Sequence, residues 1–292
     1  ESYGQSFYFK DEKFGFLIDI FCSKGLTMID LPTEEEKPLQ PLILTEKVRL
    51  KKNTEIEELL ELKGENGNYT AEEKEMLSHY SGYGGLKKAG IQKGRLHEFY
   101  TPDTLAEVMW GLAESYGYKG GAVLEPSVGT GVFLKHALKA QRMVGFEINT
   151  YSAMISRILI PEADIIEDYF ESIFFRGNKH LKNDFVMKPF DLVIGNPPYG
   201  EFTSFYAGLG ERKFTKATQY DQYFITRGLD LLKSGGLLVM LISSYFHRAD
   251  SGYDTVKRLI ASKAKLLRKK TLPNGVVPYT DVGTDIVIYK KR

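Results

Sequence analysis

The sequence predicts an α/β fold, a Rossmann-like sheet of seven strands with helices on both faces, preceded by a small and mostly helical N-terminal region. Three observations support this fold class. From about residue 95, short apolar runs alternate with helical patterns, as in doubly wound sheets. A glycine-rich turn follows the first run, and an Asn-Pro-Pro-Tyr motif follows the fourth. Such sheets bind ligands at the carboxyl ends of their strands, so both motifs lie where a site is expected.

Seven apolar runs are predicted as strands because each is short and bounded by turn residues. They are 122–125, 143–147, 164–167, 192–195, 237–242, 266–272 and 285–289. Apolar residues spaced three and four apart predict helices between them, at 102–116, 132–140, 151–159, 219–232 and 254–263. This order of elements predicts that residues 91–292 form one domain around a single sheet.

The first ninety residues are expected to form a separate, mostly helical cap or linker region. Residues 14–22 are apolar enough for a strand or a short helix, and 32–41 are typical of a linker rich in Glu and Pro. Thr54 is predicted to cap a first helix. Thr70, with Glu73 three residues later, has the pattern of a capping box and predicts a second helix that runs to about residue 79.

Composition excludes several classes of protein. Cys22 is the only cysteine, which rules out an internal disulfide framework and a thiolate zinc cluster. No apolar run approaches the roughly 18–20 residues that a membrane-spanning helix needs, and no signal-peptide pattern is present. A reducing, cytoplasmic setting is therefore expected. The chain begins at Glu1 rather than Met, which predicts that it is a piece of a longer polypeptide.

Charge is distributed unevenly along the chain. Residues 1–90 contain 12 Lys and Arg against 17 Asp and Glu, whereas residues 91–292 contain 27 against 21. The second part is therefore the better candidate for a polyanionic partner. Residues 256–270 carry seven basic side chains and no acid. This stretch could follow a phosphate backbone or form a solvated helix face.

Asn196-Pro197-Pro198-Tyr199 directly follows the predicted strand at 192–195. Two consecutive prolines cannot continue a ladder of hydrogen bonds, so the chain leaves the sheet there in a stiff conformation. The Asn side chain offers both an acceptor and donors, and an aromatic ring closes the motif. This combination suits a planar amino or amide group held edge-on while its ring stacks on Tyr199. A proline-rich turn would also explain the four residues taken alone.

A glycine loop, Glu125-Pro126-Ser127-Val128-Gly129-Thr130-Gly131, follows the first predicted strand. Its glycines allow the backbone to approach a ligand closely, and the helix predicted after it would offer free N–H groups. No lysine follows the glycines, so the loop differs from a phosphate cradle and suits a zwitterionic nucleoside better. A turn of this kind can also be purely structural.

Two acids mark the ends of the next strands. Glu147, followed by Ile148, lies about 20 residues after the glycine loop, where an acid binds ribose hydroxyls in such folds. Asp168, followed by Tyr169 and Phe170, can accept a hydrogen bond from an adenine amine while an aromatic ring packs on the base. Each acid alone is more often a solvated loop residue, but together with the loop they predict a nucleoside site.

Tyr100, Thr101 and Pro102 precede the helix that leads into the first strand. Thr101 suits the N-cap position, and Pro102 suits the first position of the helix. These preferences are a sufficient structural reason for both residues. In a nucleoside site, the same hydroxyl and the neighbouring amides could also hold a carboxylate.

These motifs together resemble those of S-adenosylmethionine-dependent amino-methyltransferases, and more closely the N6-adenine DNA methyltransferases of the gamma arrangement, in which they occur in this order. The Lys-Ser-Gly-Gly turn at 233–236 continues the match. The glycine turn at 81–86, Leu-Pro-Asn-Gly at 272–275 and Thr-Asp-Ile-Val at 284–287 are similar to the methylase part of very large methylase–helicase polypeptides of phages and conjugative elements. The resemblance covers roughly residues 50–292.

The resemblance implies an enzyme that transfers a methyl group from S-adenosylmethionine to the N6 amine of adenine in DNA, within a Rossmann-like methyltransferase domain. It implies that Asn196 and the Pro197 carbonyl accept hydrogen bonds from the target amine, with Pro198 in the same catalytic motif. Tyr199 would stack on a base extruded from the duplex. The implied cofactor contacts are Tyr100, Thr101, Pro102, Glu125, Pro126, Gly129, Gly131, Glu147, Ile148, Asp168, Tyr169, Phe170 and Asn196. No metal is expected, because the transfer is a direct displacement.

The sequence also departs from the family pattern. Family members usually cover the base with a second aromatic residue after the Leu-Pro-Asn segment; the corresponding stretch here is 275–279, and Tyr279 is a candidate for that role. The chain ends at Arg292, where a target-recognition domain would begin, so recognition is expected elsewhere in a longer polypeptide or is loosely specific. Lys213 and Lys216 lie in an aromatic and basic segment, 200–216, that could contact nucleic acid or form a mobile surface loop.

Two alternatives stay open from the residues. The same clamp suits the amide of a protein glutamine or the amine of an RNA base. A non-enzymatic alternative is an inactive methyltransferase fold that binds nucleic acid within a larger machine. The presence of both the clamp and the cofactor acids argues against inactivity.

Overall fold

The computed structural model describes residues 44–84, 99–175, 182–205, 210–249 and 251–292. The chain divides into two compact units, Glu1–Leu39 and Gln40–Arg292, and all described residues belong to the second. The predictions for 14–22 and 32–41 and the end of the glycine turn at 81–86 lie outside the described residues.

A seven-stranded sheet forms the centre of the second unit, and all seven predicted strands are present. The strands are β1 Gly121–Glu125, β2 Ala140–Glu147, β3 Asp164–Glu167, β4 Phe190–Gly195, β5 Leu232–Ser243, β6 Ala264–Thr271 and β7 Thr284–Lys291. Their order in the sheet is β3-β2-β1-β4-β5-β7-β6. Strand β7 runs antiparallel to its two neighbours, and the other pairs are parallel. The predicted fold class is confirmed.

The described helices are α1 Glu46–Lys63, α2 Ala71–Ser78, α3 Asp103–Ser115, α4 Thr150–Leu159, α5 Glu211–Thr215, α6 Tyr220–Leu231 and α7 Asp254–Lys263. The helices predicted at 102–116, 151–159, 219–232 and 254–263 therefore form, with small shifts at their ends. No helix in the described part of the chain is long and apolar enough to cross a membrane.

The two N-terminal helices differ in how well their starts were predicted. The prediction that Thr54 caps α1 is wrong, because the helix begins at Glu46 after Thr45, and the Thr54 hydroxyl donates within it to the Leu50 carbonyl. The capping box of α2 is confirmed: Thr70 Oγ1 accepts from the Glu73 amide at 3.2 Å, and the Glu73 carboxylate accepts from the Thr70 amide at 2.7 Å.

Helices α1 and α2 pack on α4 through a small apolar cluster, formed by Ile56, Leu60, Leu77, Tyr80, Ile155 and Ile158. Tyr100 packs against this cluster and meets Tyr80 edge-on, with ring centroids 6.1 Å apart. The hydroxyls of Tyr100 and Ser152 of α4 are hydrogen-bonded at 2.6 Å. The N-terminal helices therefore support the segment that enters α3.

The helix predicted at 132–140 is wrong: only a short 3-10 turn, Leu134–His136, follows the glycine loop. Strand β2 begins at Ala140, within the range predicted as helix. The turn is held from α3 instead, since the buried indole of Trp110 donates to the Phe133 carbonyl at 2.7 Å. The glycine loop therefore lacks the N-terminal N–H groups of a helix that the sequence predicted.

The pairing of β1 with β4 places two predicted motifs side by side. Leu124 of β1 pairs with Val193 of β4, and both are fully buried. The glycine loop after Glu125 and the Asn196–Tyr199 motif after Gly195 therefore leave the sheet at the same edge. This is the point in a doubly wound sheet where a ligand site forms.

Candidate active site

A cavity lies at the carboxyl ends of β1 to β4 and is named the first cavity. It encloses about 950 Å³, including the space open to solvent. Most residues that the sequence predicted as cofactor contacts line it: Tyr100, Thr101, Glu125, Pro126, Gly129, Glu147, Ile148, Asp168, Tyr169, Phe170 and Asn196. Pro102 and Gly131 do not line it. The tertiary structure therefore gathers residues from five separate stretches of sequence around one space.

Glu147 anchors the glycine loop through backbone hydrogen bonds. Its carboxylate accepts from the amides of Gly129 at 2.8 Å, Ile148 at 2.9 Å and Asn149 at 2.8 Å. Burial raises the pKa of Glu147, while these three N–H groups act in the opposite direction. The acid at the end of β2 therefore holds the loop in place in addition to facing the first cavity.

Glu125 is the second buried acid of the first cavity, and one of its oxygens lacks a partner. The side chain is 1% exposed, and Oε2 has no hydrogen-bond partner among the described residues. Burial, and then the charge of Glu147, raises the pKa of Glu125 well above its ordinary value. A buried carboxylate oxygen without a donor favours a ligand that brings a cationic or N–H group to it.

Gly129 and Gly131 need the backbone freedom of glycine. Both have positive φ values, +53° and +89°, that other residues adopt only with strain. A Cβ atom at Gly129 would lie in close contact with the ring of Tyr100, at 3.3 Å, and a Cβ atom at Gly131 would overlap Ile160. Gly131 therefore shapes the loop from behind, which explains why it does not face the cavity.

Aromatic side chains form the wall of the first cavity near β3. The rings of Tyr169 and Phe205 stack with their centroids 3.9 Å apart. Phe170 packs against Phe224 of α6, at 5.2 Å between centroids. Asp168 lines the cavity beside Tyr169, and its carboxylate accepts a hydrogen bond from the Tyr169 amide at 2.7 Å. An apolar aromatic wall beside a carboxylate suits an aromatic base with an amino group.

Asn196 is fixed by groups from two other segments. Its Nδ2 donates to the Phe99 carbonyl at 3.0 Å and to Thr101 Oγ1 at 3.2 Å. The Ser127 hydroxyl of the glycine loop donates to the Asn196 carbonyl at 3.1 Å. The prediction that Thr101 caps α3 is wrong: Pro102 occupies the N-cap position, and no side chain caps this helix.

Tyr199 is buried beside Asn196, and its hydroxyl donates to Asn196 Oδ1 at 2.9 Å. Its ring lies 6.1 Å from the ring of Phe99, between centroids. Burial, followed by the charge of Asp221, raises the pKa of the Tyr199 hydroxyl, so this group is a hydrogen-bond donor at neutral pH. The Oδ1 acceptor of Asn196 is therefore directed away from Phe99 and toward Tyr199.

The second cavity begins on the other side of Tyr199. It is lined by Tyr199, Gly200, Gln219, Asp221, Ser243, Tyr245, Phe246, Tyr253 and Val282. Of these residues, the sequence analysis named only Tyr199 as a site residue. The others come from the end of β5, the start of α6 and the loops before α7 and β7, and they carry no motif that a sequence pattern would reveal.

Asp221 is the buried acid of the second cavity. It is 4% exposed, and its carboxylate accepts from the amide of Gln222 at 2.7 Å and from the amide of Ser243. Burial raises the pKa of Asp221 to about 6. Among the described residues, no ion pair includes it. Tyr245 lies at the rim of the same cavity and is 43% exposed.

Three of the four predicted substrate contacts, Tyr279, Lys213 and Lys216, lie outside both cavities. Tyr279, which has a positive φ of 64°, packs against the Arg49 guanidinium at 4.3 Å, and its hydroxyl accepts from the Leu44 amide at 3.1 Å. Arg49 also donates to the carbonyls of the turn that follows α2, including Gly84 at 2.6 Å. Lys213 and Lys216 are exposed on and after α5.

The basic stretch at 256–270 lies on α7 and on β6, the edge strand of the sheet. Part of its charge is already engaged: Lys263 pairs with Asp230 at 2.6 Å, and Lys257 donates to the Arg248 carbonyl at 2.8 Å. Lys269 lies 3.7 Å from Asp285. The stretch is therefore partly a structural feature.

One surface cluster has the residue types of a metal site. Potential ligand atoms of Asp103, Glu107 and His136 lie within 4.8 Å of one another. Asp103 already forms an ion pair with Lys135 at 2.7 Å and a hydrogen bond with His136 Nε2 at 2.8 Å. These contacts account for the cluster as a surface charge network.

Comparison with known proteins agrees with this geometry. Residues 138–272 match the Eco57I restriction-modification methylase family. The chain is 28% identical over 249 residues to the "Defense against restriction protein B" of Escherichia phage P1, covering 85% of this chain and 10% of that protein. It is 32% identical over 172 residues to the Type II methyltransferase M.TthHB8I of Thermus thermophilus, covering 53% of this chain and 35% of that protein.

A solved structure from Listeria monocytogenes, assigned to the class I S-adenosylmethionine-dependent methyltransferases, superposes with a TM-score of 0.54 at 19% identity, covering 77% of this chain and 69% of that chain. The fold is therefore that of S-adenosylmethionine-dependent methyltransferases. The predicted resemblance to methylases of restriction-modification systems is confirmed. The chain spans well under two thirds of the length of both sequence relatives.

Proposed function

We propose that this chain, a methyltransferase domain of the restriction-modification type, transfers a methyl group from S-adenosylmethionine to the N6 amine of adenine in DNA. One observation carries the proposal: the Asn196–Tyr199 motif forms the wall between two cavities. Asn196 and Pro198 line the first cavity, and Tyr199 lines the second. A methyl transfer needs its donor and its acceptor on two sides of one point, and this wall supplies such a point.

The first cavity suits S-adenosylmethionine in charge and shape. In this proposal, Glu147 would accept hydrogen bonds from the ribose hydroxyls, and Asp168 with the neighbouring aromatic side chains would bind the adenine ring; both acids line the first cavity. The unpartnered Oε2 of Glu125 suits the ammonium group of the amino-acid part. When bound, this cofactor supplies an electrophilic methyl group on a sulfonium centre. The chain's own residues therefore need only to orient the two reactants.

Asn196 Oδ1 and the Pro197 carbonyl would accept hydrogen bonds from the target amine and orient its lone pair toward the first cavity. The base would leave the duplex to reach the wall and stack on Tyr199 in the second cavity. Extrusion costs a few kcal/mol, and stacking at about 1–3 kcal/mol per base offsets part of it. The Tyr199 hydroxyl would release Oδ1 as the amine arrives.

We also propose that other domains of a longer polypeptide supply target recognition. The matched region is 10% of the phage relative, so that protein has ample chain for such domains. The second cavity is lined by residues from the end of β5, the start of α6 and loops, and Tyr245 at its rim is 43% exposed. A partner domain that contacts DNA beside this cavity would complete the binding surface.

The proposal is tested by methyl transfer from radiolabelled S-adenosylmethionine to unmethylated duplex DNA, followed by digestion and identification of the labelled nucleoside. We expect label in N6-methyladenine. Asn196→Ala should reduce the rate at least about 100-fold, because a positioned acceptor is lost from the reacting centre. The matched control is Asn66→Ala, an exposed turn residue outside both cavities, which should retain the wild-type rate.

Duplex DNA without label, from protein that binds S-adenosylmethionine, would contradict the proposed acceptor. Parallel reactions with RNA and with a glutamine-containing peptide then identify the alternative acceptor, because the same clamp suits those groups. Label in DNA that persists in Asn196→Ala would contradict the role of the wall.

A further inference from the structure

The direction of the Asn196 amide is set by the Phe99 carbonyl and Thr101 on its donor side and by the Tyr199 hydroxyl on its acceptor side. An amide presents an acceptor on one side and two donors on the other, and only the acceptor side can receive a hydrogen bond from an amine. In this structure, Nδ2 faces two oxygens, the Phe99 carbonyl at 3.0 Å and Thr101 Oγ1 at 3.2 Å. Oδ1 faces the opposite way and accepts from the Tyr199 hydroxyl at 2.9 Å.

We propose that Thr101 is a positioning residue. Its hydroxyl oxygen, with the Phe99 carbonyl, holds the Asn196 amide so that Oδ1 faces the amine that receives the methyl group. The inference rests on the proposed function, in which the acceptor is an amine. The Phe99 carbonyl can only accept, so it decides which side of the amide turns toward it. Thr101 adds a second point of attachment, which restricts rotation of the amide about the first.

The hydroxyl of Thr101 is available for this role because α3 does not use it. A threonine before the first turn of a helix ordinarily accepts from a backbone amide of that turn. Here Pro102 is the N-cap residue, and no side-chain oxygen caps the helix. The oxygen of Thr101 therefore serves the Asn196 side chain, 95 residues away in sequence.

Thr101 also lines the first cavity, so one hydroxyl lies between the cofactor site and the clamp. An oxygen that accepts from Asn196 Nδ2 retains its own hydrogen for a second partner. A carboxylate in the first cavity could accept that hydrogen, and each of two hydrogen bonds through one hydroxyl strengthens the other. Cofactor binding would then tighten the orientation of Asn196.

The test uses a pair of matched variants. Thr101→Val keeps the shape of the side chain and removes the hydroxyl, whereas Thr101→Ser keeps the hydroxyl. Two quantities separate positioning from cofactor binding: the dissociation constant of S-adenosylmethionine, and the single-turnover rate of DNA methylation at saturating cofactor. A third is the NMR signal of the Asn196 side-chain amide in ligand-free protein, identified by its loss in Asn196→Ala.

We expect Thr101→Val to lower the single-turnover rate at saturating cofactor by about tenfold or more, since a misplaced acceptor group costs that much in rate. The Asn196 amide signal should shift or broaden in the same variant. Thr101→Ser should restore both the signal and most of the rate. Unfolding midpoints of both variants are compared with that of the wild type, and Thr101→Ala replaces the valine variant if valine prevents folding.

An unchanged Asn196 signal, with a rate that recovers fully at saturating cofactor, would overturn the proposal and leave Thr101 as a cofactor contact alone. The NMR measurement does not depend on the substrate. If the wild-type protein methylates no DNA, a shifted amide signal in Thr101→Val still supports the positioning role. The missing methylation then contradicts only the proposal that DNA is the methyl acceptor.

Discussion

The two cavities on either side of Asn196–Tyr199 differ in how their residues are distributed along the chain. The first cavity is built mostly from residues at and after the ends of strands β1, β2, β3 and β4, together with the segment that enters α3. Residues 202–203 and three residues of α6 complete it. The second combines the start of α6, the end of β5 and residues from three loops. A motif therefore marks most of the contributing stretches of the first cavity, but only Tyr199 in the second.

The two cavities also differ in which backbone amides donate hydrogen bonds to their buried acids. Glu147 in the first cavity accepts hydrogen bonds from three backbone amides: that of Gly129 in the glycine loop, and those of Ile148 and Asn149, which follow Glu147 in the chain. Asp221 in the second cavity accepts hydrogen bonds from the amides of Gln222 and Ser243. These bonds connect the start of α6 to the end of β5. The first acid thus organises a binding loop, and the second connects two elements of the sheet domain. Three variants test this difference.

The largest effect is expected from Glu147→Gln. The glutamine amide presents an NH₂ group to at least one of the three backbone N–H groups that the carboxylate now accepts. Leaving such a buried donor unsatisfied costs about 3 kcal/mol, or roughly 100-fold in affinity for S-adenosylmethionine. Isothermal titration calorimetry measures this change.

The matched control is Glu167→Gln at the end of the neighbouring strand. This side chain is 37% exposed and accepts from the Thr150 hydroxyl at 2.7 Å, outside the first cavity. Its affinity for S-adenosylmethionine should stay close to that of the wild type. An equal loss of affinity in both variants would show that general charge, and not the anchoring of the glycine loop, governs binding.

A smaller effect, on stability, is expected from Asp221→Asn. The folded state raises the pKa of Asp221 from 3.8 to about 6, so the folded protein holds this proton more tightly than the unfolded chain does. The stabilisation is complete below the unfolded pKa and is lost as the pH rises through the folded pKa. This group should therefore lower the unfolding free energy by about 2 kcal/mol between about pH 4.5 and about pH 7.5.

Urea unfolding at the two pH values measures this contribution. The asparagine variant should lack that part of the decrease, and Asp184→Asn, a change at an exposed acid, should show the same decrease as the wild type. Identical pH dependence in wild type and Asp221→Asn would mean that the Asp221 carboxyl is solvated in the folded protein.

The smallest effect is expected from Tyr245→Ala at the rim of the second cavity. If this cavity receives the base, loss of an aromatic contact should raise the KM for DNA about tenfold, the lower part of the range for stacking on a base. The dissociation constant of S-adenosylmethionine should not change, because Tyr245 lines only the second cavity.

Tyr116→Ala is the control for this change, since Tyr116 ends α3 outside both cavities. It should leave the KM for DNA unaltered. A loss of cofactor affinity in Tyr245→Ala would show that the two cavities do not act separately, and an unchanged KM for DNA would place the base elsewhere.

Much of the fold was predictable, because most strands contain a short apolar run whose pattern is local. The strand at Asp164–Glu167 and the helix at Asp254–Lys263 have the predicted bounds. The capping box of α2 is equally local, since its two side chains are three residues apart. The helix predicted at 132–140 fails because a distant donor, the Trp110 indole, holds this stretch as a tight turn.

Two threonines that were predicted to cap helices do not do so. Thr54 and Thr101 both have the side chain of a helix cap, and neither caps a helix in the structure. The start of α1 is set by Thr45, nine residues before the expected cap. Thr101 instead bonds to Asn196, a partner that no local pattern reveals.

The sequence by itself determined the order of strands and helices, the residues at the ends of β1 to β4, and the Asn196–Tyr199 motif, because these depend on local periodicity, on proline and on glycine. Only the tertiary structure decided which way the Asn196 amide turns and which residues form the second cavity. It also decided that Tyr279 packs on Arg49 rather than beside Tyr199. Hydrogen bonds and burial between distant segments set these features, and they exist only after the chain has folded around its sheet.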